Sequence, residues 1–190
     1  TLRALRILGE VDFIAAEDTR KTGELLSYHN IKGKLVSCHE HNEMSRSESL
    51  INKIKSGKTV ALVSDAGTPS VSDPGYRIVR AALENNIDLI PIPGASAAIY
   101  ALSVSGLPTD AFIFIGSLPK KTQKRRKTLS CLTRDTGTLI FYESPKRVLQ
   151  LIHDIIDIMG DRISRSSTVT TFGDTFNMNT PGRKIQVHGI

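Results

Sequence analysis

The stretch Thr59-Val60-Ala61-Leu62-Val63-Ser64-Asp65-Ala66-Gly67-Thr68-Pro69-Ser70-Val71-Ser72-Asp73-Pro74-Gly75 decides how the rest of the chain is read. Its first six residues are apolar and β-branched, as in a buried strand. The next eleven are rich in turn formers, and Tyr76 to Glu84 then places Ile78, Val79, Ala82 and Leu83 on a helical face. Strand, loop, helix is the unit of an α/β sheet, and ligands in such sheets collect outside the carboxyl ends of the strands. Gly67 and Gly75 permit close backbone approach or positive φ. Pro69 and Pro74 stiffen the turns, and Ser72 or Asp73 can cap the helix with Pro74 at its first position. Asp65 can accept hydrogen bonds from hydroxyls or an amine. An ordinary rigid loop has much the same composition.

The same pattern recurs outward in both directions. Val11 to Ala16 and Lys34 to Cys38 read as strands, and Ile87 to Ile92 as another that closes at Pro93-Gly94. Ser47 to Lys55 reads as a helix with Leu50, Ile51 and Ile54 inward. Gly106-Leu107-Pro108-Thr109-Asp110 is a candidate junction, giving an amino-terminal α/β domain over 1–106 and a second over 110–190. After it, Ala111 to Ile115 and Thr138 to Tyr142 read as strands, Lys120 to Leu132 and Arg147 to Met159 as helices. Alternation of this kind predicts a largely parallel sheet. Beyond about Arg162 the chain is rich in Ser, Thr and Asn, and only Ile185-Gln186-Val187 suggests a strand.

Composition narrows the function. The 190 residues are 39% hydrophobic and 23% charged, as in a globular protein. No apolar run approaches the roughly 20 residues that cross a bilayer, and Thr1 to Leu5 does not read as a signal peptide. The two cysteines, Cys38 and Cys131, make no disulfide framework, so a cytoplasmic location is expected. The formal net charge of +6 suits a polyanionic partner. Lys120 to Lys127 carries six cations in eight residues at the start of a predicted helix. Cations there oppose the helix dipole, which favours a phosphate role, although a solvated helix face is equally compatible.

Three further strand-end segments carry candidate chemistry. Glu17-Asp18-Thr19-Arg20-Lys21 follows the first strand and fits a cleft floor, or a helix cap with Glu17 paired to Lys21. Gly94-Ala95-Ser96-Ala97-Ala98 leaves room for a flat ligand against a helix N-terminus, or for tight packing. Tyr142-Glu143-Ser144-Pro145-Lys146-Arg147 lies at another strand-to-helix turn, where Glu143 can orient a ligand or Ser144 and Pro145 can simply start the helix. No Walker lysine follows any of these loops, which argues against nucleotide triphosphate hydrolysis. Cys38-His39-Glu40-His41 has neither zinc-finger nor HExxH spacing, so a surface or capping role is favoured and no metal is expected.

Six segments in order, VDFIAAEDTR (11–20), ALVSDAGTPSVSDPG (61–75), IPIPGASAA (90–98), GLP (106–108), FIGSLP (114–119) and FYESPKR (141–147), resemble the family of ribosomal RNA small-subunit methyltransferase I, within the tetrapyrrole methylases. The resemblance runs from residue 1 to about 162. It lacks the family's opening strand, so Thr1 falls in the first helix, and the match is lost over the tail. It implies an α/β tetrapyrrole-methylase fold, two domains with a ligand cleft between them and a homodimer. The implied cofactor is S-adenosylmethionine. The implied reaction is 2′-O-methylation of a cytidine ribose in 16S ribosomal RNA of the 30S subunit, with no membrane partner. It implies that Ser64, Asp65, Gly67, Thr68, Ser96, Ala97, Tyr142 and Glu143 hold the cofactor. Glu17 or Asp18 would take the proton from the ribose hydroxyl. Arg20, Lys120, Lys121, Lys124, Arg125 and Arg126 would meet the RNA. The rival readings are methylation of a small tetrapyrrole precursor on the same fold, and a non-catalytic RNA-binding fragment.

Overall fold

A computed structural model describes residues 1–160 of the chain. The strand expected at Ile185 to Val187 lies outside the described residues. The chain divides into two compact units, Thr1–Ser96 and a second beginning at Ala97. The Gly106 to Asp110 stretch, read from the sequence as a junction, connects α5 to β4 inside the second unit.

The first unit holds α1 (Leu2–Glu10), β1 (Phe13–Ala16), α2 (Thr19–Tyr28), β2 (Leu35–Ser37), α3 (Glu43–Lys55), β3 (Val60–Val63) and α4 (Tyr76–Glu84). Its sheet has the order β2-β1-β3, all parallel. β1 is central because it is apolar on both faces: Ile14, Ala15 and Ala16 are fully buried. Side chains alternate across a strand. Ile14 accordingly packs with Leu8 and Leu26 on one face, while Ala15 packs with Cys38, Leu50 and Ile78 on the other. Thus α1 and α2 cover one face, α3 and α4 the other. Asp12 fixes the approach to β1, accepting hydrogen bonds from Thr59 N and Oγ1 at 2.9 and 3.0 Å. These bonds and the neighbouring Lys58 ammonium draw its carboxyl down to about 2.

The strand expected over Ile87 to Ile92 is absent: no residue from 87 to 96 joins a ladder. Pro91 and Pro93 supply no N–H, and Leu89 and Ile90 are left exposed. The segment's long-range hydrogen bond is from Thr1 Oγ1 to Pro93 O, at 3.4 Å.

The second unit holds α5 (Ala97–Ser105), β4 (Phe112–Ser117), α6 (Thr122–Cys131), β5 (Thr138–Tyr142) and α7 (Val148–Met159). β4 and β5 pair in parallel, with a bulge between Phe114 and Gly116 that places Gly116 at φ 70°. Leu118, Leu129 and Leu151 form its core, with Phe141 and Ile155 packed against them. A second tie joins α6 to α7. The Arg125 guanidinium, 1% exposed, meets Asp154 at 2.6 Å, and Arg126 bonds both Asp154 and Asp157.

Candidate functional site

The register sets the site in the first unit. Ala16 pairs with both Ser37 and Val63, so the three strands end level. The chain therefore leaves one edge of the sheet at Glu17, Cys38 and Ser64, which is the edge where parallel sheets bind ligands.

At that edge the side chains interlock. Asp65 Oδ1 accepts from Asp18 N at 3.0 Å, and its Oδ2 accepts from Lys21 Nζ at 2.8 Å. Glu17 Oε2 in turn accepts from Asp65 N at 3.2 Å. The β1 and β3 ends are thereby stitched together. Asp18 caps α2 through Arg20 N and holds the Arg20 guanidinium at 2.7 Å. Those two Arg20 bonds hold the Asp18 carboxyl well below the usual range. Arg20 itself is largely exposed. Lys21 therefore pairs with Asp65, where the sequence alone offered Glu17.

The loop after β3 is bent into unusual backbone. Ser70 and Ser72 sit at φ 71° and 61°, a region costly for residues with a Cβ. Between them and α4, Asp73 is half-buried. Burial pushes its pKa up first, with the Glu17 and Asp65 charges adding to the rise and a Ser64 hydrogen bond opposing it. Gly67, at φ 72°, has only Asp73 Oδ2 near the place a Cβ would take, at 3.7 Å, and Gly94 has nothing within 4 Å. The backbone of both turns is open to a ligand. Thr68 is exposed, Ser64 bonds Ala66 O, and Ser96 is half-buried at the end of the first unit.

The capping expectation is corrected. α4 begins at Tyr76 with Gly75 at its cap, φ 133°, and no side chain of Ser72 or Asp73 bonds its N-terminus. Glu43, 5% exposed at the start of α3, does so instead: its Oε1 accepts from Gly75, Arg77 and Ile78 N–H groups at 3.0, 2.8 and 3.4 Å. The sequence signal was the acidic residue itself, but its partner lies 32 residues on, outside any local capping pattern.

In the second unit, Tyr142 Oη accepts from Ala98 N at 3.2 Å, tying β5 to α5, whose first residue is Ala97. Glu143 is drawn to Arg147 at 2.5 Å, its side chain 4% exposed. Of the basic run, Lys120, Lys121 and Lys124 are exposed at the start of α6. Arg125 is not on that surface: the structure gives its guanidinium to Asp154, because a buried cation needs a paired anion. Arg126 is likewise taken up by Asp154 and Asp157, though partly exposed. Among the described residues no group of three or more His, Cys, Asp or Glu is arranged to hold a metal ion. No described helix is long and apolar enough to cross a membrane.

Known proteins fit this architecture. Residues 1–171 match the family described as tetrapyrrole (corrin/porphyrin) methylases. Ribosomal RNA small subunit methyltransferase I of Halalkalibacterium halodurans is 51% identical over 162 residues, 85% of this chain and 56% of that protein. The Haemophilus influenzae protein of the same name is 43% identical over 182 residues, 95% of this chain and 64% of its own length. The chain thus spans a little over half the length of such curated relatives. Among solved structures, uroporphyrin-III C-methyltransferase of Thermus thermophilus, complexed with S-adenosyl homocysteine, shares the fold. Its TM-score is 0.54 at 19% identity, covering 98% of this chain and 80% of that one. Fold and sequence agree, and the chain belongs to the tetrapyrrole (corrin/porphyrin) methylases.

Proposed function

We propose that the chain carries the cofactor and substrate surfaces of a ribosomal RNA methyltransferase dependent on S-adenosylmethionine, transferring a methyl group to a cytidine 2′-oxygen of 16S ribosomal RNA. The observation that carries the reading is the open backbone at Gly67, just beyond the carboxyl end of β3, with a second open glycine at Gly94. Bare backbone of this kind suits an adenosyl ligand. The residues proposed to hold it are Ser64, Gly67, Thr68, Ser96, Ala97, Tyr142 and Glu143, as the family resemblance implies. When bound, the cofactor supplies an activated methyl on a sulfonium.

The chain's own task is then alignment and proton removal. Asp65, with both carboxylate oxygens engaged, fixes the floor of the site. Asp18 is held ionised by Arg20 and makes a weak base. Glu17, on the same edge, is the second carboxylate proposed to take the ribose proton. Lys120, Lys121 and Lys124 are exposed cations for RNA phosphate, while Arg20, also exposed, is tied to Asp18. The names of the curated relatives favour ribosomal RNA over a tetrapyrrole as substrate. The cytoplasm and the 30S subunit are the matching setting, and a homodimer the matching assembly.

Titration with S-adenosylhomocysteine, followed by transfer of tritiated methyl to 30S subunits or to a uroporphyrinogen-type substrate, tests the reading. Binding with label in 16S RNA is the expected result. Label in the tetrapyrrole alone would replace the substrate assignment, and RNA binding without cofactor binding would leave only an RNA-binding module.

A further inference from the structure

Two polar atoms just beyond β5 have no hydrogen-bond partner among the described residues. Glu143 Oε1 accepts from Ser144 N at 2.8 Å and meets Arg147 Nη2, while Arg147 Nε reaches Ser144 Oγ at 3.4 Å. Glu143 Oε2 and Arg147 Nη1 are both buried, and neither makes a hydrogen bond among the described residues. A carboxylate and a guanidinium usually close on each other through two parallel bonds. Here they touch at one point, so each keeps a free arm. A buried polar group of this kind is destabilising while it stays unmatched, and a native fold keeps few of them. Their placement is not random: β4 and β5 pair as Ser117↔Tyr142. Glu143 therefore leaves the ligand edge of this sheet beside the segment that leads into Lys120 and Lys121.

Resting on the reading above, we infer that Glu143 and Arg147 form a fork that recognises the amino and ring-nitrogen edge of an aminated base, adenine or cytosine. Glu143 Oε2 accepts from the exocyclic amine, and Arg147 Nη1 donates to the adjacent ring nitrogen. A zwitterionic amino-acid head offers the same order of donor and acceptor. It would bring two full charges into a place already dry, at far greater desolvation cost than a neutral base edge. Uracil and hypoxanthine present the reverse order, an oxygen toward Oε2 and an N–H toward Nη1. A site built to hydrogen-bond one pattern discriminates strongly against the other.

Calorimetry on the full chain has two arms. The adenine arm compares S-adenosylhomocysteine with S-inosylhomocysteine, and the cytosine arm compares short oligocytidylate with oligouridylate at one salt concentration. At least a tenfold preference for the aminated member is expected in one arm, and that arm names the ligand. Glu143→Gln, which can turn either an oxygen or an amide N–H toward the base, is expected to bring the preference below threefold. Equal affinities within both pairs in the unaltered protein overturn the fork while leaving the proposed function standing. So does a preference that survives in Glu143→Gln. A preference in the adenine arm with no methyl transfer to 30S subunits keeps the fork and sinks the substrate reading. No binding of any of the four probes overturns both.

Discussion

At the scale of single residues, the candidate site is a set of carboxylates whose surroundings give them different work. Asp65 has both oxygens committed, to Asp18 N and to Lys21 Nζ. Asp65→Ala is therefore expected to lower stability by about 1.5–3 kcal/mol, the usual worth of a hydrogen bond to a charged group, and to weaken S-adenosylhomocysteine at least tenfold. Chemical denaturation beside calorimetry checks both, and unchanged affinity in a folded variant would remove Asp65 from the floor of the site. Asp73 behaves oppositely. Its folded pKa lies above the unfolded 3.8, chiefly because burial penalises the charged form. Between those two values the folded state binds more protons than the unfolded one, so this group's contribution falls as pH rises. Asp73→Asn should then stabilise the protein relative to the unaltered chain at pH 7, and the gain should shrink toward pH 4. Melting curves at the two pH values read the difference, and a gain independent of pH would show that Asp73 is not strained by its charge.

At the scale of elements, legibility in the sequence followed the range of the interaction. β1, β3, β5 and α4 were readable because buried strands and amphipathic helices write their period locally. The lysines at the start of α6 were readable as a charge run. Three features were not. The segment 87–92 has strand composition, yet a strand exists only through a neighbour, and none pairs with it here. Arg125 looked like surface because its anion, Asp154, stands on another helix. Glu43 carried no local sign of its role because the helix it caps starts far along the chain. Both of the last two make strong predictions. Glu43→Ala strips acceptors from three N–H groups, two of them buried, and should cost about 1.5–3 kcal/mol, with faster amide exchange confined to the first turn of α4. Asp154→Asn leaves a buried guanidinium without its anion and should cost about 3–5 kcal/mol. The loss should appear as early melting of the second unit, and an unshifted transition would show that the α6–α7 tie contributes nothing.

At the scale of the whole molecule, charge sets how a polyanion is met. The chain carries a formal +6, but not every cation is free to spend on phosphate. Arg125 and Arg126 are neutralised by Asp154 and Asp157, Lys21 by Asp65, Arg20 by Asp18. Lys120, Lys121 and Lys124 stand exposed where α6 begins, and the helix start adds its own positive end without an acidic residue in its first turn. These lysines add nothing to folding that the buried cluster does not already provide, so their removal separates binding from stability. Replacing all three by Ala should flatten the slope of log K against log salt for a 16S RNA fragment by about 2, from roughly 0.7 per phosphate contact on single strands, with little change in melting temperature. Arg126→Ala should do the reverse, lowering the melting temperature while changing the slope little. If the triple variant keeps the full salt slope, RNA is met by some other face, and the basic run is only a solvated helix start.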